Sequence, residues 1–165
     1  MIKRVFLLIA VVYYIFIIFS FSAQTADLSD AGSRKVTQTV YKTVNHVAKK
    51  VSPPNGIKEA DFMKNFHGLI RKTAHFMNFF ILALLVISYV RCFEKNAQFC
   101  FLFAVLFCLG AAMFDEFHQL FVSGRSGQIR DVLIDTSGAA AGAFFHTLIY
   151  ERIYLIKKTF FGGLK

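Results

Sequence analysis

Seven polar side chains in one short stretch could do chemistry: Asp115, Glu116, His118, Gln119, Arg125, Asp131 and Asp135. They fall in FDEFHQLFVSGRSGQIRDVLID, residues 114–135, between an apolar run over residues 99–114 and another over residues 132–150. Polar groups carried to membrane depth lose their hydration and must find partners. A chain that gathers so many at the ends of apolar helices builds either a buried polar network or a functional site. His75, Asp115, Glu116, His118 and Asp131 include the groups that general acid–base catalysis or a hard-metal site acting on a lipid substrate would need. Arg71, Lys72 and Arg125 could instead hold a phosphate, with phenylalanine-rich walls accepting an acyl or polyprenyl chain. A third reading is structural, with Asp115, Asp131 and Asp135 paired to Arg71, Lys72, Arg125 and Arg130. No HExxH, GxSxG or paired-cysteine pattern is present, so no metal or cofactor is expected.

The elements that must position these residues follow from composition. Of 165 residues 56% are hydrophobic, 21 are Phe, and the mean hydropathy is +0.52. The apolar residues are segregated into runs, which predicts an all-α polytopic membrane protein, one domain over residues 1–165, and not a soluble fold. Four transmembrane helices are expected at about residues 5–22, 69–90, 97–119 and 129–150, each near the roughly 20 residues that cross a bilayer. Ser20-Phe21-Ser22-Ala23 imitates a signal-peptidase site, but the 17-residue run before it is longer than a cleaved leader carries, so the first helix is expected to stay. Cys100 and Cys108 stand eight residues apart on one helix, roughly 12 Å, too far to bond. Together with Cys92 they read as small apolar residues of a bundle.

The connector over residues 23–68 holds a valine stripe, Val36, Val40, Val44, Val47 and Val51, with Arg34, Lys35, Lys42, Lys49 and Lys50 largely off it. This predicts a basic amphipathic helix between the first and second spans, begun near Ser29 or Ser33 and ended by Ser52-Pro53-Pro54. It would lie on the membrane surface, or pack on the protein's own loops. The net charge of +9 suits anionic lipid headgroups; no basic-aromatic module for nucleic acid is present. Eleven of the Lys and Arg fall on the side of the long connector and eight on the side of the termini, yet the short basic amino end and the basic tail favour both termini in the cytoplasm.

Alternation of four spans brings the polar groups to one membrane face. Arg71, His75 and Asn78 share one helical face; Asp115, His118 and Gln119 share a second; Asp131 and Asp135 share a third. Arg125 sits in Ser123-Gly124-Arg125-Ser126-Gly127, a turn able to fold it back over the cluster. Gly138 and Gly142 make a GxxxG face for close helix approach. His46, His67 and His146 lack such company and read as surface or interfacial.

These residues carry a resemblance. Phe21-Ser22-Ala23-Gln24 after the first span, Arg71-Lys72-Thr73-Ala74-His75-Phe76 opening the second, Asp115-Glu116-Phe117-His118-Gln119, and Arg125-Ser126-Gly127 followed by Asp131, Asp135 and Gly138 occur in this order. Together they are similar to the VanZ-like family of small bacterial membrane proteins, named for a member associated with teicoplanin resistance. The family often has an acidic residue and a Tyr where this chain has Asn78 and Phe79. The resemblance implies a multi-pass protein of the bacterial plasma membrane that lowers susceptibility to lipoglycopeptides. The reading that joins it to the residues is binding of membrane lipid, an anionic lipid or a lipid-linked cell-wall precursor, at Arg71, Lys72, His75, Asp115, His118, Gln119, Arg125, Asp131 and Asp135.

Overall fold

A computed structural model describes the backbone of residues 1–51 and 59–161, and within these the side chains other than 26–28, 48–51, 59–61, 63–65, 67 and 154–161. Five helices follow in order: α1 (Ile2–Ser22), α2 (Ala26–Val51), α3 (Glu59–Val90), α4 (Ala97–Gln119) and α5 (Ile129–Phe161). Four contain spans long and apolar enough to cross a membrane: Ile2–Ser22, Gly68–Val90, Ala97–Gln119 and Ile129–Ile153. The expected spans are therefore found. What the sequence reading undersized is the helices themselves. α3 begins well before its apolar part, because a helix satisfies its backbone internally and need not stop where apolarity does.

The bundle is held by small residues facing large ones. On α4 the buried stripe Cys100, Ala104, Cys108 and Ala112 runs at four-residue steps. α3 supplies the bulk, with Phe79, Leu82, Val86 and Ile87 buried. α5 lies against α3 through Gly138 and Gly142, where a Cβ would strike the carbonyl oxygens of Phe76 and Phe80. Backbone-to-backbone approach of this kind is what GxxxG permits, since dispersion rather than hydrophobicity drives helix association in lipid. Outward, Phe99, Leu102, Phe103, Leu106 and other large apolar side chains are exposed, as a lipid-facing surface requires.

The two ends of the bundle differ. At one, Arg4 of α1 donates to the Cys92 carbonyl at 2.9 Å and stands over the Phe93 ring at 4.4 Å. Arg91 lies 4.1 Å above the Tyr150 ring on α5. At the same end Glu94 Oε1 accepts from the Lys95 and Asn96 N–H groups, and Asn96 caps α4 by accepting from Phe99 N at 3.0 Å. The start of α1, the end of α3 and the later part of α5 thus meet, as four alternating spans demand. Arg71, His75, Asp115, Glu116, Gln119, Arg125, Asp131 and Asp135 are at the opposite end.

The connector forms the expected helix, but it begins elsewhere and packs on α3 as well as presenting its valine stripe outward. α2 begins at Ala26, earlier than Ser29 or Ser33, and the Ser29 N–H already bonds to the Thr25 carbonyl at 3.1 Å. It runs back along the early turns of α3, with Asp30 beside Arg71 and Tyr41 beside Phe62. The face that touches α3 is the polar one: Thr37 is fully buried and Ser33 and Tyr41 partly so. Val36, Val40, Val44 and Val47, one position round the helix, remain exposed along with Arg34, Lys35 and Lys42. The Lys49 and Lys50 side chains and Ser52-Pro53-Pro54 lie outside the described residues.

Candidate functional site

The site is assembled by helix ends and one turn. α4 delivers Asp115, Glu116 and Gln119 on its inward face, only 1%, 6% and 4% exposed. Gln119 Nε2 donates both to Asp115 Oδ2 at 3.1 Å and to Ser22 Oγ at 3.0 Å, tying α4 to the end of α1. Glu116 Oε2 accepts from the Gln128 N–H at 2.7 Å, immediately before α5. A carboxylate there serves the unpaired donors and positive dipole of a helix start. Glu116, a candidate acid or base by sequence, is thus engaged in holding the α4–α5 turn.

α3 supplies Arg71, His75 and Asn78. His75 Nδ1 stands 3.6 Å from Asp135 Oδ1, too long for a good hydrogen bond, with Asp135 fully buried on α5. Asn78 Oδ1 accepts from the Tyr14 hydroxyl at 3.3 Å, binding α1 to α3. In the turn after α4, Gly124 has φ 74°, a left-handed conformation for which glycine is suited. The reversal folds Arg125 inward, where its Nε donates to the Gln24 carbonyl at 2.9 Å. Burial first, and the neighbouring Arg71 second, lower the Arg125 guanidinium from its usual range. Both effects would be relieved by an anion.

The ion pairs expected among these groups are not the ones formed. Among the described residues Arg71 NH1 pairs with Asp30 Oδ1, at 3.6 Å, and Asp135 faces His75; Arg125 is held by a carbonyl. The reason is geometric. Arg71 leans towards α2, and the group facing Asp135 from α3 is His75. Five carboxylate oxygens, on Asp115, Glu116, Asp131 and Asp135, are buried without a hydrogen-bond partner.

Two hollows open among these side chains. The larger, about 390 Å³, has an apolar wall that includes Ile18, Phe21, Val36, Ile70 and Phe79 and a polar wall of Arg71, His75, Asn78, Asp115 and Arg125. The smaller, about 80 Å³, brings Arg71, His75, Gln119, Arg125 and Asp131 together with Ser29, Ser126 and Gln128. Of the candidate binding residues, Arg71, His75, Asp115, Gln119, Arg125 and Asp131 therefore line one hollow or both. Lys72 and His118 line neither, and Asp135 stands behind His75. Among the described residues no three His, Cys, Asp or Glu side chains are grouped so as to hold a metal ion. Cys100 and Cys108 are buried thiols and Cys92 is a partly buried one. His46 is exposed, whereas His146 is partly buried and stacked on Tyr150; the His67 side chain lies outside the described residues.

Sequence reasoning passed over Asp30, Ser29 and Ser33. Their place at the site depends on α2 folding back along α3, which no local pattern announces. Ser22 and Gln24, by contrast, were visible as polar residues closing an apolar helix.

Four apolar spans, with buried carboxylates and partly buried guanidinium groups converging at one end, define a multi-pass membrane protein with a polar centre there. The chain belongs to the VanZ/LLP1 family, whose pattern it matches over residues 5–150. Comparison with curated proteins and with solved structures returns no match.

Proposed function

We propose that this protein binds a lipid through an anionic head group at the larger hollow, and by engaging an envelope lipid or lipid-linked cell-wall precursor there lowers susceptibility to lipoglycopeptides. The family to which the chain belongs supports the envelope role. The observation that carries the binding reading is the two-sided lining of the hollow. Arg71 and Arg125 offer forked donors suited to a phosphate. Ile18, Phe21, Val36 and Ile70 offer an apolar path, and Phe21 and Val36 continue it to the outer surface, being 60% and 52% exposed. A volume of about 390 Å³ is in the range of small-ligand sites. The test is native mass spectrometry of the purified protein. A phospholipid should be retained by the unaltered chain and lost on Arg125→Ala at unchanged helical content. Equal retention by both would count against the reading. In cells, the same substitution should reduce any protection against teicoplanin.

One observation favours a second reading, a lipid-directed acid–base enzyme. His75 borders the hollow with a buried carboxylate behind its Nδ1, an arrangement that orients an imidazole as a general base. Turnover of a lipid phosphate or ester by purified protein, abolished by His75→Ala while lipid is still retained, would favour it.

A further inference from the structure

Asp115 narrows what the hollow can receive. Its residue is 1% exposed, yet it forms part of the wall. Oδ2 accepts from Gln119, while Oδ1 is buried with no hydrogen-bond partner. The Ser22 hydroxyl is a further donor beside this carboxyl, yet Oδ1 itself has no partner at hydrogen-bond geometry. Gln119 has two amide hydrogens, and both are engaged, one on Asp115 Oδ2 and one on Ser22. His75 presents Nδ1 to Asp135, Arg71 is drawn to Asp30, and Arg125 Nε is on the Gln24 carbonyl. A buried carboxyl oxygen left open in this way is costly until something donates to it.

Resting on the lipid-binding reading above, we infer that the ligand's head group carries a hydrogen-bond donor beyond its phosphate, an ammonium or a hydroxyl, which Asp115 Oδ1 receives while Arg125 and Arg71 take the phosphate. The wall then has a cationic part for the phosphate and a buried acceptor for the donor. A head group without N–H or O–H leaves the acceptor unpaired, and specificity built on a buried polar group rejects the analogue that lacks its partner more strongly than an apolar pocket rejects a change of size.

The experiment uses the full-length protein in detergent and four defined lipids of equal acyl chains, titrated by native mass spectrometry. Phosphatidylethanolamine and phosphatidylcholine have the same charge but differ in N–H donors. Phosphatidylglycerol and phosphatidylethanol have the same charge but differ in hydroxyls. The inference expects one donor-bearing member to be preferred over its counterpart by about tenfold, the size of one hydrogen bond to a charged acceptor. Preference in the first pair identifies an ammonium, preference in the second a hydroxyl such as a glycerol or sugar supplies. In Asp115→Asn the amide oxygen would meet Gln119 Nε2, turning its NH2 into the hollow, so an acceptor becomes a donor and the preference should fall to about one.

No preference in either pair, with Arg125→Ala still weakening all four lipids, overturns this inference and leaves the lipid site standing. Preference undiminished in Asp115→Asn overturns the role of Asp115. No retention of any of the four beyond that of Arg125→Ala overturns the lipid reading as well. The paired comparison on the unaltered protein needs no variant, so it decides even where Asp115→Asn fails to fold.

Discussion

Gly138→Ala should destabilise this protein although alanine is the better helix former. A Cβ at Gly138 would strike the Phe76 carbonyl oxygen and its carbon, which are backbone atoms of α3 and cannot swing aside as a side chain would. Ordinary van der Waals separation requires α5 and α3 to part by on the order of 1 Å. Overpacking of a fitted interface costs about 1–3 kcal/mol and the helix preference of Ala over Gly returns about 1 kcal/mol, leaving a net loss of up to about 2 kcal/mol and a gap of about 1–3 kcal/mol from a Gly→Ala change that meets nothing. Gly110, in the middle of α4, is the control, because a Cβ there meets nothing within 4 Å. Gly110→Ala should therefore be neutral or slightly stabilising. Thermal melting of both variants in the same detergent, followed by circular dichroism, reads the difference. The effect should reach the site, since Gly138 lies three residues from Asp135 and opposite the residue after His75. A Gly138→Ala protein as stable as Gly110→Ala would refute the close approach of α3 and α5.

His75→Ala leaves the fully buried Asp135 carboxylate without its facing group and should cost about 3–5 kcal/mol if that pair is charged, with Asp135→Asn added to it recovering part of the loss. Strict additivity of the two changes in melting experiments would show the pair to be uncoupled. Tyr14→Phe removes the hydroxyl that donates to Asn78 and should cost about 0.6 kcal/mol, the usual worth of one interhelical hydrogen bond in lipid; an unchanged melting temperature would mean the bond contributes nothing. In a cysteine-free background, a restored Cys92 and an introduced Arg125→Cys should react with an impermeant thiol reagent from opposite sides of the membrane, since they lie at opposite ends of the bundle; labelling of both from outside would break the four-span topology.

Much of this architecture was legible because the bilayer imposes it. The apolar runs had to be spans, their number fixed which polar residues share a face, and Gly138 and Gly142 mark a close helix crossing in the sequence itself. The turn at Gly124 likewise announced that Arg125 would fold back. Partnerships were harder to read. Arg71 has four carboxylates near it in the pattern of spans, yet it joins Asp30, a residue of the connector with no helical stripe to recommend it. The connector's contact with α3 was the part not announced. Its valine stripe stands exposed, as a helix on a membrane surface requires, while the small polar face through Ser33 and Thr37 lies against α3. The contact continues with the Tyr41 ring against Phe62, itself stacked on Phe66, and hydropathy is blind to such a fit.

The pattern of partners also bears on why so many charges stand at one membrane end. A bundle that used them only for stability would join carboxylates to guanidinium groups, because an unpaired ion at that depth is expensive. Here the inexpensive pairing is not taken among the described residues. Glu116 serves the start of α5, Asp135 faces a histidine, and Asp115 is served by the Gln119 amide and the Ser22 hydroxyl. Arg125, with five N–H donors, gives one to a carbonyl, and Arg71 reaches a half-exposed aspartate. Open donors and open acceptors thus border the same hollow without satisfying each other. Stability alone gives no reason to keep them apart, whereas a ligand bearing both an anion and a donor would satisfy both. That separation of charges, more than their number, favours a binding site over a scaffold.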